Sequence, residues 1–222
     1  LLAMLAGLST WWVSGSALLG ALGSTLLVFG LAHGRGSWTP TRLLLTGIVV
    51  ASGWGALIMF LLVVGPVERL PGMLYWLMGD LAYARSPWPA LVVLVLVSAV
   101  LLPLGRSLNV LARGPLQAAA LGLPVRGLER LVFLLTSLLA ATAVTTAGSI
   151  GFVGLIVPHG LRLLVGNDQR VVLPGAALLG GSVLLLADAL ARSLIAPEQL
   201  PVGVMMALVG VPVFLYLLQR AR

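Results

Sequence analysis

Asp188 and Arg192 stand four residues apart inside an apolar run, so on a helix they share one face. Charged groups in such a run are costly unless they are paired or put to work. Two readings stay open for them. A local ion pair would lower the cost of both charges, or Arg192 faces outward to meet an acidic partner while Asp188 orients it. His159 follows Pro158 in another apolar run. It stands either on a proton path or, more simply, at a helix break where freed backbone carbonyls satisfy it. Asp168 and Arg170 close that run and suit a capped turn, with Asp168 near the start of the next helix. Glu129, between Arg126 and Arg130, reads as part of a solvated interfacial cluster.

These groups leave little for an enzyme. The sequence has no Walker lysine motif, no HExxH, no paired carboxylate and no Ser-His-Asp arrangement. Two His, six acidic residues and no Cys make a metal site built by this chain alone unexpected, and they exclude disulfides and thiolate ligands. No catalytic residue, metal or cofactor is expected.

What must position these residues is a membrane bundle. Of 222 residues, 60% are hydrophobic and 9% charged, too little polar surface to coat a soluble core. All thirteen basic residues are Arg, and they fall singly between apolar runs. They form neither a basic stripe nor an aromatic-interleaved patch, so membrane topology explains the +7 charge better than nucleic acid does. The chain opens at Leu1 inside an apolar run without a signal-peptide pattern, and it reads as a fragment with transmembrane sequence missing upstream.

Runs of about 20 apolar residues mark spanning helices. The sequence suggests eight: a tail at 1–8, then 12–32, 41–64, 89–104, 131–147, a short irregular 150–165, 171–190 and 202–218. Between the third and fourth lies Gly72–Tyr83, bounded by prolines and too short to span. With Tyr75 and Trp76 beside Asp80 it suggests a helix lying across the membrane surface. Residues 33–40 form a basic, breaker-rich loop, and 197–201 a tight one. The Arg count orients the chain. Arg35, 42, 106, 113, 126, 130, 162, 170, 220 and 222 fall on one side, and Arg69, 85 and 192 on the other, so the first set is expected in the cytoplasm. That alternation requires 150–165 to cross, although Gly148, Gly151 and Gly154 crowd its start and Pro158-His159-Gly160 interrupts it. Irregular backbone at membrane depth belongs where protein or a water-filled path surrounds it.

The cytoplasmic stretch 108–124, LNVLARGPLQAAALGLP, reads as two short helices broken at Gly114-Pro115, with Gly122 ending the second. The second half is expected to expose Leu116, Ala118, Ala119, Ala120 and Leu121. A short apolar helix off the membrane suits a groove on another protein, and the lipid interface is the alternative.

Together these residues resemble the FecCD-type permease subunits of ABC importers for iron-siderophore, haem and vitamin B12. The resemblance rests on GFVGLIVPHGLRLLVGNDQR (151–170), LLLADALAR (184–192), QLPVGVMMALVGVPVFLYLL (199–218, preceded by Glu198), WLMGDL (76–81) and the loop at 111–124. It covers essentially the whole chain and is weakest over the first forty residues.

The resemblance implies an all-α bundle of roughly ten spanning helices of about 20 residues each, paired as a homodimer or pseudo-dimer. This chain would supply about eight of them, as one permease domain over 1–222 with coupling helices at 107–124. The implied partners are an ABC ATPase, a periplasmic or lipoprotein substrate-binding protein, a second permease subunit and membrane lipid, with no nucleic acid. The implied location is the bacterial cytoplasmic (inner) membrane, multi-pass. Gly114, Pro115, Leu116, Ala118, Leu121 and Gly122 would belong to the helices that dock on the ATPase, and Arg192 would pair with a carboxylate of the binding protein. Thr39, Pro40, Thr41 and Arg42 would lie near the inner gate. Helix 72–83 and the segment after Pro201 would form the outer surface.

Two departures matter: Pro115 stands where the family usually has an acidic residue, and Ala119 where it often has Arg. The usual Asp-His-Arg is here Asp168-Gln169-Arg170. The expected function is ATP-driven import of a metal chelate by alternating access, without covalent chemistry in this chain. The alternatives are a proton-coupled secondary transporter using Asp188 and His159, and a purely structural membrane subunit.

Overall fold

A computed structural model describes residues 1–32, 40–84, 86–195 and 199–220. Among these the secondary structure is helical throughout. The order is α1 (Leu2–Leu5), α2 (Thr10–Ala32), α3 (Pro40–Val64), α4 (Leu70–Met78), α5 (Trp88–Leu101), α6 (Gly105–Leu111), α7 (Pro115–Ala120), α8 (Val125–Ala147), α9 (Val153–Val165), α10 (Gln169–Ser193) and α11 (Val202–Arg220). Short 3-10 turns at Val67–Arg69 and Leu81–Tyr83 flank α4.

Helices α2, α3, α8 and α10 are each long and apolar enough to cross a bilayer; α5 and α6 make a fifth span if their 69° bend is counted within one crossing. Helices α9 and α11 are shorter apolar helices. Leu, Val, Ile, Trp and Phe side chains lie exposed along α2, α3, α5 and α10. In water such surfaces would aggregate; facing lipid or another subunit, they need no polar cover.

Two packed groups make the bundle. Helices α2, α3, α5 and α8 pack together, with Trp54 Nε1 donating to Ser24 Oγ at 2.9 Å between α3 and α2. Phe29 stacks on Phe133 at 4.9 Å between α2 and α8. Helices α9, α10 and α11 form the second group. Leu161 lies against Gly175, while Val153 and Val157 lie against Gly180, so α10 runs antiparallel to α9. Phe152 and Ile156 lie against Gly210, and His159 against Phe214, so α11 runs parallel to α9.

Backbone hydrogen bonds gather one end of the bundle. Gly203 N–H donates to Gly79 O at 3.0 Å, Asp80 N–H to Ala147 O at 2.8 Å, and Leu200 N–H to Ala191 O at 3.3 Å. The hydroxyl of Ser149 donates to Leu77 O. Beneath this junction Ala187, Ala191, Val202, Met205 and Met206 form a buried core.

At the opposite end, α6 and α7 meet the starts of α8 and α10. Helix α9 therefore begins at the junction and finishes at the opposite end, beside α6 and the start of α10, the direction the Arg count requires of 150–165. The described arginines follow the expected division, with 42, 106, 113, 126, 130, 162, 170 and 220 on elements of one end and Arg69 and Arg192 at the other.

Three expectations change. Helix α9 runs without interruption through Pro158, and its irregularity precedes it, at residues 148–152, where Phe152 caps the helix in the left-handed region at φ 66°. A proline forfeits one bond to the preceding turn, and packed neighbours hold the helix together there. Helix α8 begins at Val125 and not near 131, so Arg126, Glu129 and Arg130 ride its first turns. Asp80 is 8% exposed. It is no interfacial charge, because its Oδ1 accepts from Ala82 N–H at 2.9 Å and caps the 3-10 turn that follows.

Candidate functional site

At the end opposite the junction, α6 and α7 form the expected pair of short helices. The turn between them places Gly114 at φ 122° and ψ 145°, a backbone state L side chains rarely adopt. Pro115 then occupies the first position of α7, where its missing N–H costs nothing. Gly122, at φ 80°, follows the end of α7. Leu116 is 86% exposed, Leu121 is 72% exposed, and Ala118 between them is fully buried. The expectation that Ala118 is exposed is corrected: a six-residue helix needs a seated side, and its small alanine permits a close one. The opposite side is left apolar and bare.

Helix α6 is fastened to the start of α10 by a residue that sequence alone did not single out. Asn109, on α6, donates from Nδ2 to Asp168 Oδ1 at 2.7 Å, and its Oδ1 accepts from Gln169 N–H at 2.7 Å. Gly105, one turn earlier on the same face, lies so close to α10 that a Cβ there would meet Arg170 Cγ at 2.6 Å. The only sequence signal was an Asn in an otherwise apolar turn, and its partner lies 59 residues away.

Asp168 caps α10, accepting from Arg170 N–H at 3.0 Å, and it pairs with Arg170 Nη2 at 3.1 Å. The hydrogen bonds from the Arg170 side chain, from Asn109 and from the Arg170 backbone hold its carboxyl well below the usual carboxylate range. The cap expected of Asp168 and Arg170 is present.

At the other end, Arg192 Nε donates to Asp188 Oδ2 at 2.9 Å, one turn back on α10. Arg192 stays largely exposed while Asp188 is less so, and the Asp80 carboxylate adds a further attraction on the arginine. Close by, Pro71, Leu74, Tyr75, Met78, Ile195, Gln199, Leu200 and Pro201 line a mainly apolar cavity of about 320 Å³. Arg69, also at this end, donates to the carbonyls of Met4 and Leu5 and so ends α1.

Of the residues expected near an inner gate, Thr39 lies outside the described residues. Pro40 begins α3, and Thr41 and Arg42 are exposed on its first turn. His159 differs from expectation: its Nε2 is buried and finds no hydrogen-bond partner among the described residues, so freed carbonyls do not satisfy it. Its ring stands edge-on to Phe214 at 6.3 Å. Among the described residues no three His, Asp or Glu side chains gather in a way that could hold a metal.

Four helices long and apolar enough to span, with exposed apolar flanks, define an integral membrane protein of the polytopic, multi-pass kind. The chain belongs to the FecCD transport family, which it matches over residues 1–220. It is 45% identical over 211 residues to the cobalamin import system permease protein BtuC of Halobacterium salinarum, a match covering 93% of this chain and 56% of the relative. It is 40% identical over 210 residues to the hemin transport system permease protein HmuU of Yersinia pestis, covering 93% and 62%. The chain thus spans about 56 to 62% of the length of these two relatives. A solved structure described as an inward-facing conformation of a metal-chelate type ABC transporter superposes with a TM-score of 0.87 at 35% identity, over 99% of this chain and 70% of that one.

Proposed function

We propose that this chain forms the larger part of the permease subunit of an ATP-driven ABC importer in a bacterial cytoplasmic membrane, carrying a metal chelate such as a ferric siderophore, haem or cobalamin. ATP hydrolysis belongs to a separate ATPase, and no covalent chemistry is assigned to this chain. The observation that carries the reading is helix α7, seated through Ala118 and presenting Leu116 and Leu121 bare at the coupling end. Such a helix fits a groove on a partner, and the partner is the ATPase. At the far end of α10, Arg192, steadied by Asp188, meets a carboxylate of the substrate-binding protein. A second permease subunit completes the path, and the start of α3, 40–42, lies at its inner mouth. ATP binding closes the ATPase pair, the coupling helices move, and the bundle passes between outward- and inward-facing states.

The proton-coupled alternative would need Asp188 available to take up a proton, and that carboxylate is engaged by Arg192. The test is uptake into proteoliposomes holding the full-length permease and its ATPase, with binding protein and labelled chelate added. Uptake that requires ATP and all three components supports the reading. Uptake driven by a proton gradient without the ATPase overturns it.

A further inference from the structure

Helix α10 joins the two ends of the molecule. Its 25 residues, rising about 1.5 Å each, run from Gln169 at the coupling end to Ser193, one residue past Arg192, at the other. A push on α7 reaches α10 through α6, since α6 contacts both. At that contact one side chain makes two hydrogen bonds to two consecutive residues. Asn109 gives its amide N–H to the carboxylate that caps α10 and takes the backbone N–H of the first residue of α10.

Gly105 removes the side chain that would otherwise hold the two elements apart. The carboxylate is in turn fixed by Arg170. The bond from Asn109 to Asp168 is therefore charge-assisted and ends on a preset acceptor. A two-point amide clasp resists sliding of α6 along α10.

We propose that Asn109 is the positioning residue that latches the coupling segment 105–120 to the cytoplasmic start of α10, so that movement at α7 is delivered to the helix bearing Arg192. This inference rests on the importer reading. It adds to it one residue and one route between the ATPase surface and the binding-protein surface.

The test uses the full-length permease with its ATPase in nanodiscs, comparing hydrolysis with and without chelate-loaded binding protein. The Asn109→Ala variant removes both bonds. Asn109→Asp keeps the acceptor for Gln169 N–H but sets a second carboxylate against Asp168.

The expected result is a fall of about tenfold in the ratio of stimulated to basal hydrolysis for Asn109→Ala and at least as much for Asn109→Asp. A merely structural asparagine would lower complex yield and both hydrolysis rates together, leaving the ratio in place. A ratio unchanged in Asn109→Ala overturns the latch while a stimulated parent upholds the importer reading. A parent complex without any stimulation overturns the importer reading and the latch with it.

Discussion

Arg192 Nε lies 2.9 Å from Asp188 Oδ2, one helical turn apart near the end of α10, and the arginine remains the more exposed partner. The local ion pair is present and reduces the cost of two charges near the membrane, while the docking reading rests on the exposure of the arginine. A charge at the rim of an interface governs encounter and salt dependence more than it governs total affinity. Arg192→Glu is expected to weaken capture of the binding protein by at least about tenfold at low salt, with the difference shrinking as ionic strength rises. Asp188→Asn, which frees the arginine without removing it, is expected to change affinity by only about twofold. Surface plasmon resonance across a salt series measures both. Equal losses for the two variants would mean that the pair is structural.

The bare side of α7 predicts a sharper effect. Leu116→Asp places a charge where an apolar groove is expected to close over the helix, without touching the seated side. Co-purification of the ATPase with the permease is expected to be lost while detergent-extracted permease keeps its melting temperature. Ala118→Leu should do the reverse at the start. It overpacks a fully buried position, costs about 1–3 kcal/mol locally, and loosens α7 before any partner is added. Gly114→Ala, with open space around it but φ at 122°, should cost about 1–3 kcal/mol through backbone strain alone.

Asp168 supplies a pH prediction. Its folded carboxyl is held below the ordinary value, first by Arg170 and then by Asn109, so its ionised form stabilises the capped turn. Stability from a depressed carboxylate is fully present above the unfolded value of about 3.9 and disappears as pH falls through the folded value. From pH 8 down to pH 5 the amide exchange of Arg170 and Val171, corrected for the intrinsic rate, is therefore expected to stay flat. Protection should fall only below about pH 4. Asp168→Asn should erase that acid limb. A protection change centred between pH 6 and 7 would assign the cap to a different group.

Sequence alone carried the spans, the division of the arginines and the break at Gly114-Pro115, because each leaves a compositional mark: apolar length, charge asymmetry, and the Gly-Pro pair. It misplaced the irregularity of 148–165, since a proline reads as a breaker locally while its helix is held by α10 and α11. The true distortion falls on Phe152, a residue type with no preference for the left-handed region. The junction of Gly79, Ala147 and Gly203 is backbone hydrogen bonding and leaves no side-chain signature. Asn109 was illegible for a related reason: its meaning lies in Asp168 and Gln169, and only the folded chain brings them together.

His159 gives the remaining test, and it separates transport classes. Its Nε2 is buried without a hydrogen-bond partner among the described residues, and its ring meets Phe214 edge-on. A buried polar atom left unpaired costs about 1–3 kcal/mol, whereas an apolar group of similar shape avoids that cost. His159→Phe should preserve the aromatic contact, which suits edge-to-face packing, and leave the permease at least as stable as the parent. If the bundle is moved by an ATPase, ATP-dependent uptake by His159→Phe is expected within about twofold of the parent. Were His159 instead a proton carrier, the same substitution would abolish uptake and its pH dependence together. Measuring the parent and His159→Phe in matched vesicles, with ATP and with a proton gradient in turn, decides between them.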